Sequence, residues 1–135
     1  MKLRVKVAGC SGCGLCALAC AYEQAGILQA RYGAIRVQEE LPESLKVRVR
    51  FCIQCRQGYC IEACPREALI RVKDGQVVLA PDRCDSCQGR FPCVPACRFG
   101  GLFVHPAGTQ PLKCDLCGGE PRCVEVCPEQ VIAVG

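Results

Sequence analysis

KCDLCGGEPRCVEVCPEQVI, residues 113–132, decides the fold, because four cysteines fall within fourteen residues. They are Cys114, Cys117, Cys123 and Cys127, opening with C-x-x-C and closing with a C-x-x-x-C step. The same design occurs three more times, as Cys10-Cys13-Cys16-Cys20, Cys52-Cys55-Cys60-Cys64 and Cys84-Cys87-Cys93-Cys97. These quartets use all sixteen cysteines of the 135-residue chain. Four thiolates are the ligand count of one [4Fe–4S] cluster, so the spacing implies four clusters.

Other cysteine chemistries fit less well. Disulfide scaffolds belong to secreted chains, and MKLRVKVAGC offers no apolar stretch for a signal peptide. Zinc sites pair separated C-x-x-C knuckles or mix Cys with His, whereas here the cysteines crowd together and the chain has one histidine. No C-x-x-C is followed by His, which excludes c-type haem attachment. The fourth cysteine is expected to begin a short helix, with proline at its first position in Cys64-Pro65 and Cys127-Pro128. Cys20-Ala21 and Cys97-Arg98 depart from that pattern. The wider second gaps, Arg56 to Tyr59, Gln88 to Pro92 and Gly118 to Arg122, predict small loops over the clusters.

The formal charge of +4 counts every thiol as neutral. Four cluster units at roughly −2 each bring the loaded protein to about −4. Twelve arginines against five lysines then read as charge compensation and interface groups, not as a nucleic-acid footprint. With 5% aromatic residues and no Trp, much of the interior must be cluster, and the iron-free chain is expected to be largely unfolded. No apolar run reaches transmembrane length. The expectation is a protein without a membrane span, in the cytoplasm.

Period-two patterning predicts strands at Lys2–Val7, 34–37 and Lys46–Phe51, the last two joined through Leu41-Pro42-Glu43-Ser44. A helix is predicted over Cys13–Ala25, ending at Gly26, and another helical turn over 65–69. Lys73-Asp74-Gly75 predicts a hairpin turn, and a second hairpin flanks Pro106-Ala107-Gly108-Thr109. A short helix after Cys127 and a strand over 131–134 complete the reading.

Two quartets form a unit when each lends a cysteine to the other's cluster. Quartets two and three lie 19 residues apart, and quartets one and two 31 apart. The helix, hairpin and Pro81-Asp82-Arg83 approach between two and three pair them, as in a two-cluster ferredoxin, and one goes with four by elimination; sequential pairing, one with two and three with four, is the alternative. The first scheme assigns Cys10, Cys13, Cys16 and Cys127 to one cluster, and Cys114, Cys117, Cys123 and Cys20 to another. It assigns Cys52, Cys55, Cys60 and Cys97 to a third, and Cys84, Cys87, Cys93 and Cys64 to the fourth. The expected fold class is α+β: two bacterial-ferredoxin-like dicluster modules with short helices and β-hairpins. Residues 52–97 form the central module, and 1–51 with 98–135 the outer one.

On CSGCGLCALACAYEQAG, FCIQCRQGYCIEACPREAL and the fourth motif, the chain resembles the four-cluster ferredoxin-like subunits of complex oxidoreductases. The resemblance implies pairing of one with four and two with three. The compact Gly118-Gly119-Glu120-Pro121 segment is most similar to the electron-transfer subunit beside tungsten-dependent aldehyde:ferredoxin oxidoreductases. Hydrogenase and carbon-monoxide-dehydrogenase partners also carry it, whereas dimethyl-sulfoxide-reductase-type subunits usually have a longer insertion. The third motif, CDSCQGRFPCVPACRFG, departs from the family pattern.

The implied role is one-electron relay, all-cysteine ligation favouring low potentials. The implied donor is a tungsten- or molybdenum-pterin catalytic subunit. The acceptor would be a ferredoxin, a flavin subunit or a further copy of this chain. An extended or saddle-shaped body is expected. No substrate chemistry is visible: His105 sits in a turn without a nearby base, and no nucleotide-binding glycine motif follows a strand. A cluster-stapled assembly scaffold is the reading of another class, and catalysis by the chain itself ranks last because every quartet is complete.

Overall fold

A left-handed glycine opens the longest helix. In the computed structural model, which describes residues 2–39 and 47–135, Gly14 has φ +76° and caps α1 (Leu15–Ala25). This conformation starts the helix two residues later than the sequence predicts and leaves Cys13 outside it, exposed. Gly26, again left-handed, ends α1 by donating its N–H to the Tyr22 carbonyl. The buried face of α1 carries Cys16, Ala17, Cys20 and Ala21. Small residues there let the neighbouring chain come close: a Cβ on Gly33 would lie 2.7 Å from the Ala17 carbonyl oxygen.

The other helices are one turn long: α2 (Tyr59–Ala63), α3 (Cys93–Ala96) and α4 (Arg122–Val126). Each holds the third cysteine of its quartet and ends at the fourth, so Cys64, Cys97 and Cys127 close these helices rather than begin them. Residues 65–68 accordingly make a turn and not a helix, Leu69 already being extended, and no helix follows Cys127. The physical reason lies three residues on, where Glu67 (φ +54°), Gly100 (φ +64°) and Gln130 (φ +53°) are left-handed. That bend turns the Ala68 N–H to the Cys64 sulfur at 3.3 Å and the Gly101 N–H to the Cys97 sulfur at 3.3 Å. Pro65 and Pro128 thus stand where a helix has stopped.

The described strands pair two by two, all antiparallel: β2 (Ile35–Glu39) with β3 (Val47–Phe51), β4 (Leu69–Arg71) with β5 (Val77–Leu79), and β6 (Leu102–Val104) with β7 (Pro111–Lys113). The fourth pair joins distant segments, β1 (Leu3–Val5) with β8 (Ile132–Val134), Leu3 opposite Val134. β1 stops short of the predicted Val7 because the Val7 carbonyl accepts the Cys10 N–H, turning the chain toward the first quartet. The expected turn at Leu41-Pro42-Glu43-Ser44 lies outside the described residues.

Two apolar cores result. One joins Leu3, Ile35, Phe103, Leu112, Leu116 and Ile132 with Cys16, Cys20, Cys114 and Cys123. The other gathers Leu69, Val77 and Leu102 with Cys60 and Cys93. The β6–β7 hairpin straddles them, since Leu102 and Phe103 point to opposite faces. With short helices and small two-stranded hairpins, the architecture is α+β.

Candidate iron–sulfur centres

All sixteen cysteines are free thiols. Cys10, Cys13, Cys16 and Cys127 line one hollow of about 370 Å³, part of it open to solvent, with Val5, Val37 and Ile132 as its apolar wall. Cys52, Cys55, Cys60 and Cys97 line another, of about 340 Å³, with Val77 and Leu102. Helix α1 packs on α4, and α2 on α3. The first contact puts Cys20 within electrostatic reach of Cys117 and Cys123. The second puts Cys64 within reach of Cys87 and Cys93, which Cys84 also faces.

The sulfurs receive backbone N–H groups in a repeating way. Gly12, Gln54 and Leu116 each donate to the first cysteine of their quartet, Cys10, Cys52 and Cys114, at 3.4 Å. Ala34 donates to Cys20 at 3.2 Å. In quartets three and four the residue after the first cysteine is Asp, and its side chain accepts the N–H of the second cysteine at 2.9 Å. Those Asx turns hold Cys87 (φ 47°) and Cys117 (φ 49°) in the left-handed region, which is costly for a residue with a Cβ. The C-D-x-C spelling of both motifs is the signal for this turn.

Burial pushes the Cys114 and Cys123 thiols up to about 12, and those of Cys16 and Cys93 up to about 11. Neighbouring thiolates add to this, Cys52 and Cys20 acting on Cys114, and Cys20, Cys117 and Cys16 on Cys123. Such crowding of negative charge needs a cation at its centre. A single zinc ion would draw sulfurs to about 2.3 Å from itself, and among the described residues no His, Cys, Asp or Glu group converges for one ion. Four thiols spread round a hollow, with N–H groups aimed at sulfur, are a donor set that fits a [4Fe–4S] cluster.

Two buried polar residues escaped the sequence reading. Gln54 is 8% exposed and Lys113 is 6% exposed. The Lys113 ammonium donates to the Cys52 sulfur at 3.1 Å, to the Cys114 carbonyl at 3.0 Å and to Gln54 Oε1 at 3.4 Å. Their sequence separation hid this: Lys113 and Cys52 are 61 residues apart. A lysine next to a quartet was the only available signal. His105 is half-buried after β6, its Nδ1 accepting the Ala107 N–H at 3.0 Å and its ring meeting Tyr32 edge-on. Among the described residues no helix is long and apolar enough to cross a membrane.

Two family models match, both described as a 4Fe-4S dicluster domain, over residues 9–68 and 43–135. The chain is 42% identical over 95 residues to the polyferredoxin-like subunit of an aliphatic sulfonate oxidoreductase from Pyrococcus furiosus, covering 64% of this chain and 54% of that one. It is 31% identical over 106 residues to a tetrathionate reductase subunit of Archaeoglobus fulgidus, covering 76% of this chain and 47% of that one. The chain thus spans about half the length of these relatives. Among solved structures, the active site complex BamBC of benzoyl coenzyme A reductase shares the fold. The TM-score there is 0.57 at 24% identity, over 98% of this chain and 75% of that one. With two matching dicluster models and four complete cysteine quartets, the chain belongs to the 4Fe-4S dicluster domain family, is similar to polyferredoxin-like oxidoreductase subunits, and carries four [4Fe–4S] clusters.

Proposed function

We propose that this chain relays single electrons between a tungsten- or molybdenum-pterin catalytic subunit of the aldehyde oxidoreductase type and a ferredoxin or flavin partner, in the cytoplasm. Bound [4Fe–4S] clusters supply reversible one-electron chemistry. The protein's part is to hold them in line, to bury their sulfurs and to set how much water reaches each. The observation that carries this reading is the gathering of thiols from distant quartets around shared hollows. It supports ligand sets Cys10-Cys13-Cys16-Cys127, Cys114-Cys117-Cys123-Cys20, Cys52-Cys55-Cys60-Cys97 and Cys84-Cys87-Cys93-Cys64. The two cores support a central module over 52–97 and an outer module over 1–51 and 98–135, with Leu102 reaching across.

Electrostatic contacts between sets also support an order along the relay. Cys93 faces Cys60, Cys52 faces Cys114, and Cys16 faces Cys123. The order is the Cys84 set, the Cys52 set, the Cys114 set and the Cys10 set. Cys13 is exposed, as are Leu15 and Val7 on the same N-terminal stretch, which supports the last set as an exit toward a partner.

Two experiments test the proposal. In the iron-loaded full chain, Cys20→Ser should lose the paramagnetic signal that Cys117→Ser loses. A match with Cys55→Ser instead would establish sequential pairing. Isolation of the native complex, with mass spectrometry and metal analysis, should yield a pterin-containing catalytic subunit. A hydrogenase or carbon monoxide dehydrogenase there would overturn the partner.

A further inference from the structure

The Lys113–Gln54 pair is the one place, among the described residues, where a buried side-chain charge touches a cluster sulfur. Lys113 ends β7, directly opposite Leu102. Residues opposite each other share a face, and Leu102 lines the hollow of Cys52, Cys55, Cys60 and Cys97. The strand therefore delivers the ammonium to that quartet. Gln54 fixes it there: its Oε1 also accepts the Val77 N–H at 2.8 Å, and its Nε2 donates to the Cys114 carbonyl at 2.9 Å. The Gln54 backbone is left-handed (φ 54°), a cost that aims its own N–H at the Cys52 sulfur.

Burying an ammonium is expensive unless an opposite charge compensates it. The partners of Lys113 are a sulfur, an amide oxygen and a peptide carbonyl, none of them a carboxylate. The Cys52 thiolate is the one group of opposite charge among them. Cys52 thus receives two donors, a peptide N–H and a cation, where Cys10 and Cys114 receive a peptide N–H alone. Hydrogen bonds to sulfur and nearby positive charge both favour the more electron-rich state of an iron–sulfur centre.

We propose that Lys113 is a positioning residue of the relay: held by Gln54, it raises the reduction potential of the Cys52-Cys55-Cys60-Cys97 cluster and couples its surroundings to the Cys114 quartet. The inference rests on the ligand sets proposed above. One electron enters the cluster and leaves again, and Lys113 keeps its proton throughout. The step between the two modules thereby becomes a place where an electron rests.

The test is a redox titration of the iron-loaded full chain, followed by electron paramagnetic resonance, for the wild type, Lys113→Met, Lys113→Gln and Lys113→Arg. In the two neutral variants one midpoint should fall by at least a tenfold change in the oxidised-to-reduced ratio, about 59 mV for one electron. The signal concerned should be the one lost in Cys55→Ser. Lys113→Arg should restore most of the shift. Wild-type midpoints in a neutral variant that holds its iron would overturn the inference. So would loss of iron in both neutral variants, which would make the lysine a structural strut. A fall confined to the signal lost in Cys117→Ser would overturn the assignment to Cys52. If the wild type itself holds fewer than four clusters, the function proposed above fails instead.

Discussion

Gly101 has the least room of any described glycine. A Cβ there would lie 2.6 Å from the Phe51 carbonyl oxygen and 2.7 Å from the Cys52 N and Cα. Its N–H also serves the Cys97 sulfur. Gly101→Ala must therefore push the β6 backbone off Cys52, and a cost of about 1–3 kcal/mol is expected. Thermal melting together with the iron-to-protein ratio checks this; a fully loaded, unshifted variant would contradict the contact. The raised thiols make a second prediction at the same scale. Cys114 and Cys123 stand near 12 in the iron-free fold because burial disfavours their thiolates. Their neutral forms contribute stability that is complete below the ordinary value of 9.0 and is lost as pH rises toward 12. Cluster binding works in the opposite sense, since it needs thiolates and releases protons. Rising pH should therefore favour loading of the iron-free chain while it loosens whatever structure that chain retains, which iron uptake and circular dichroism across a pH series would read separately.

Among the elements, the quartets and hairpins were legible in the sequence. The Lys73-Asp74-Gly75 turn sits between β4 and β5 as its residues demand, and the alternation of residues 47–51 forms β3, Lys46 lying outside the described residues. Of the helices only α1 was legible in place; the helical turns expected after Cys64 and Cys127 are absent, and α2, α3 and α4 precede Cys64, Cys97 and Cys127 instead. A helix of one turn has no apolar period to read, and its extent is set by the wrap of the third and fourth cysteines. The proline after Cys64 or Cys127 fits a helix start or a helix end equally well from sequence alone. What reached across the chain was invisible: the clamp of Gln54, the cation of Lys113, and Arg36 and Arg50 over the Phe103 ring at 4.6 and 5.4 Å. A prediction follows from the two cores. Leu69 is 1% exposed in one and Leu116 is fully buried in the other. Each truncated to Ala should cost about 2–5 kcal/mol. Under the proposed modules, Leu69→Ala should release iron first from the pair that Cys55→Ser and Cys84→Ser mark, and Leu116→Ala from the other pair. Identical release profiles would argue against two modules.

For the molecule as a whole, thiols make up a large part of both cores. Without iron these cores hold crowded thiols whose ionisation burial disfavours, and they lack the cluster that fills the space between them. Chelation under anaerobic conditions should therefore collapse the far-ultraviolet spectrum in one cooperative step per module. A spectrum unchanged after iron removal would mean that the apolar residues alone sustain the fold.

The pairing of β1 with β8 has a consequence for how the protein is made. Lys2 and Gly135 exchange backbone hydrogen bonds at 3.1 and 2.9 Å. A ribosome moving at roughly 5–20 residues per second needs about 6 to 25 s to travel from one strand to the other. Through that interval the N-terminal strand is born without its neighbour, and under the proposed ligand sets Cys10, Cys13 and Cys16 wait for Cys127, which has not been synthesised. Residues 52–97 meet no such delay. Under the proposed modules, translation thus imposes a schedule, in which residues 52–97 can mature while β8 is still unmade and the β1–β8 module only once residues 127–134 have emerged.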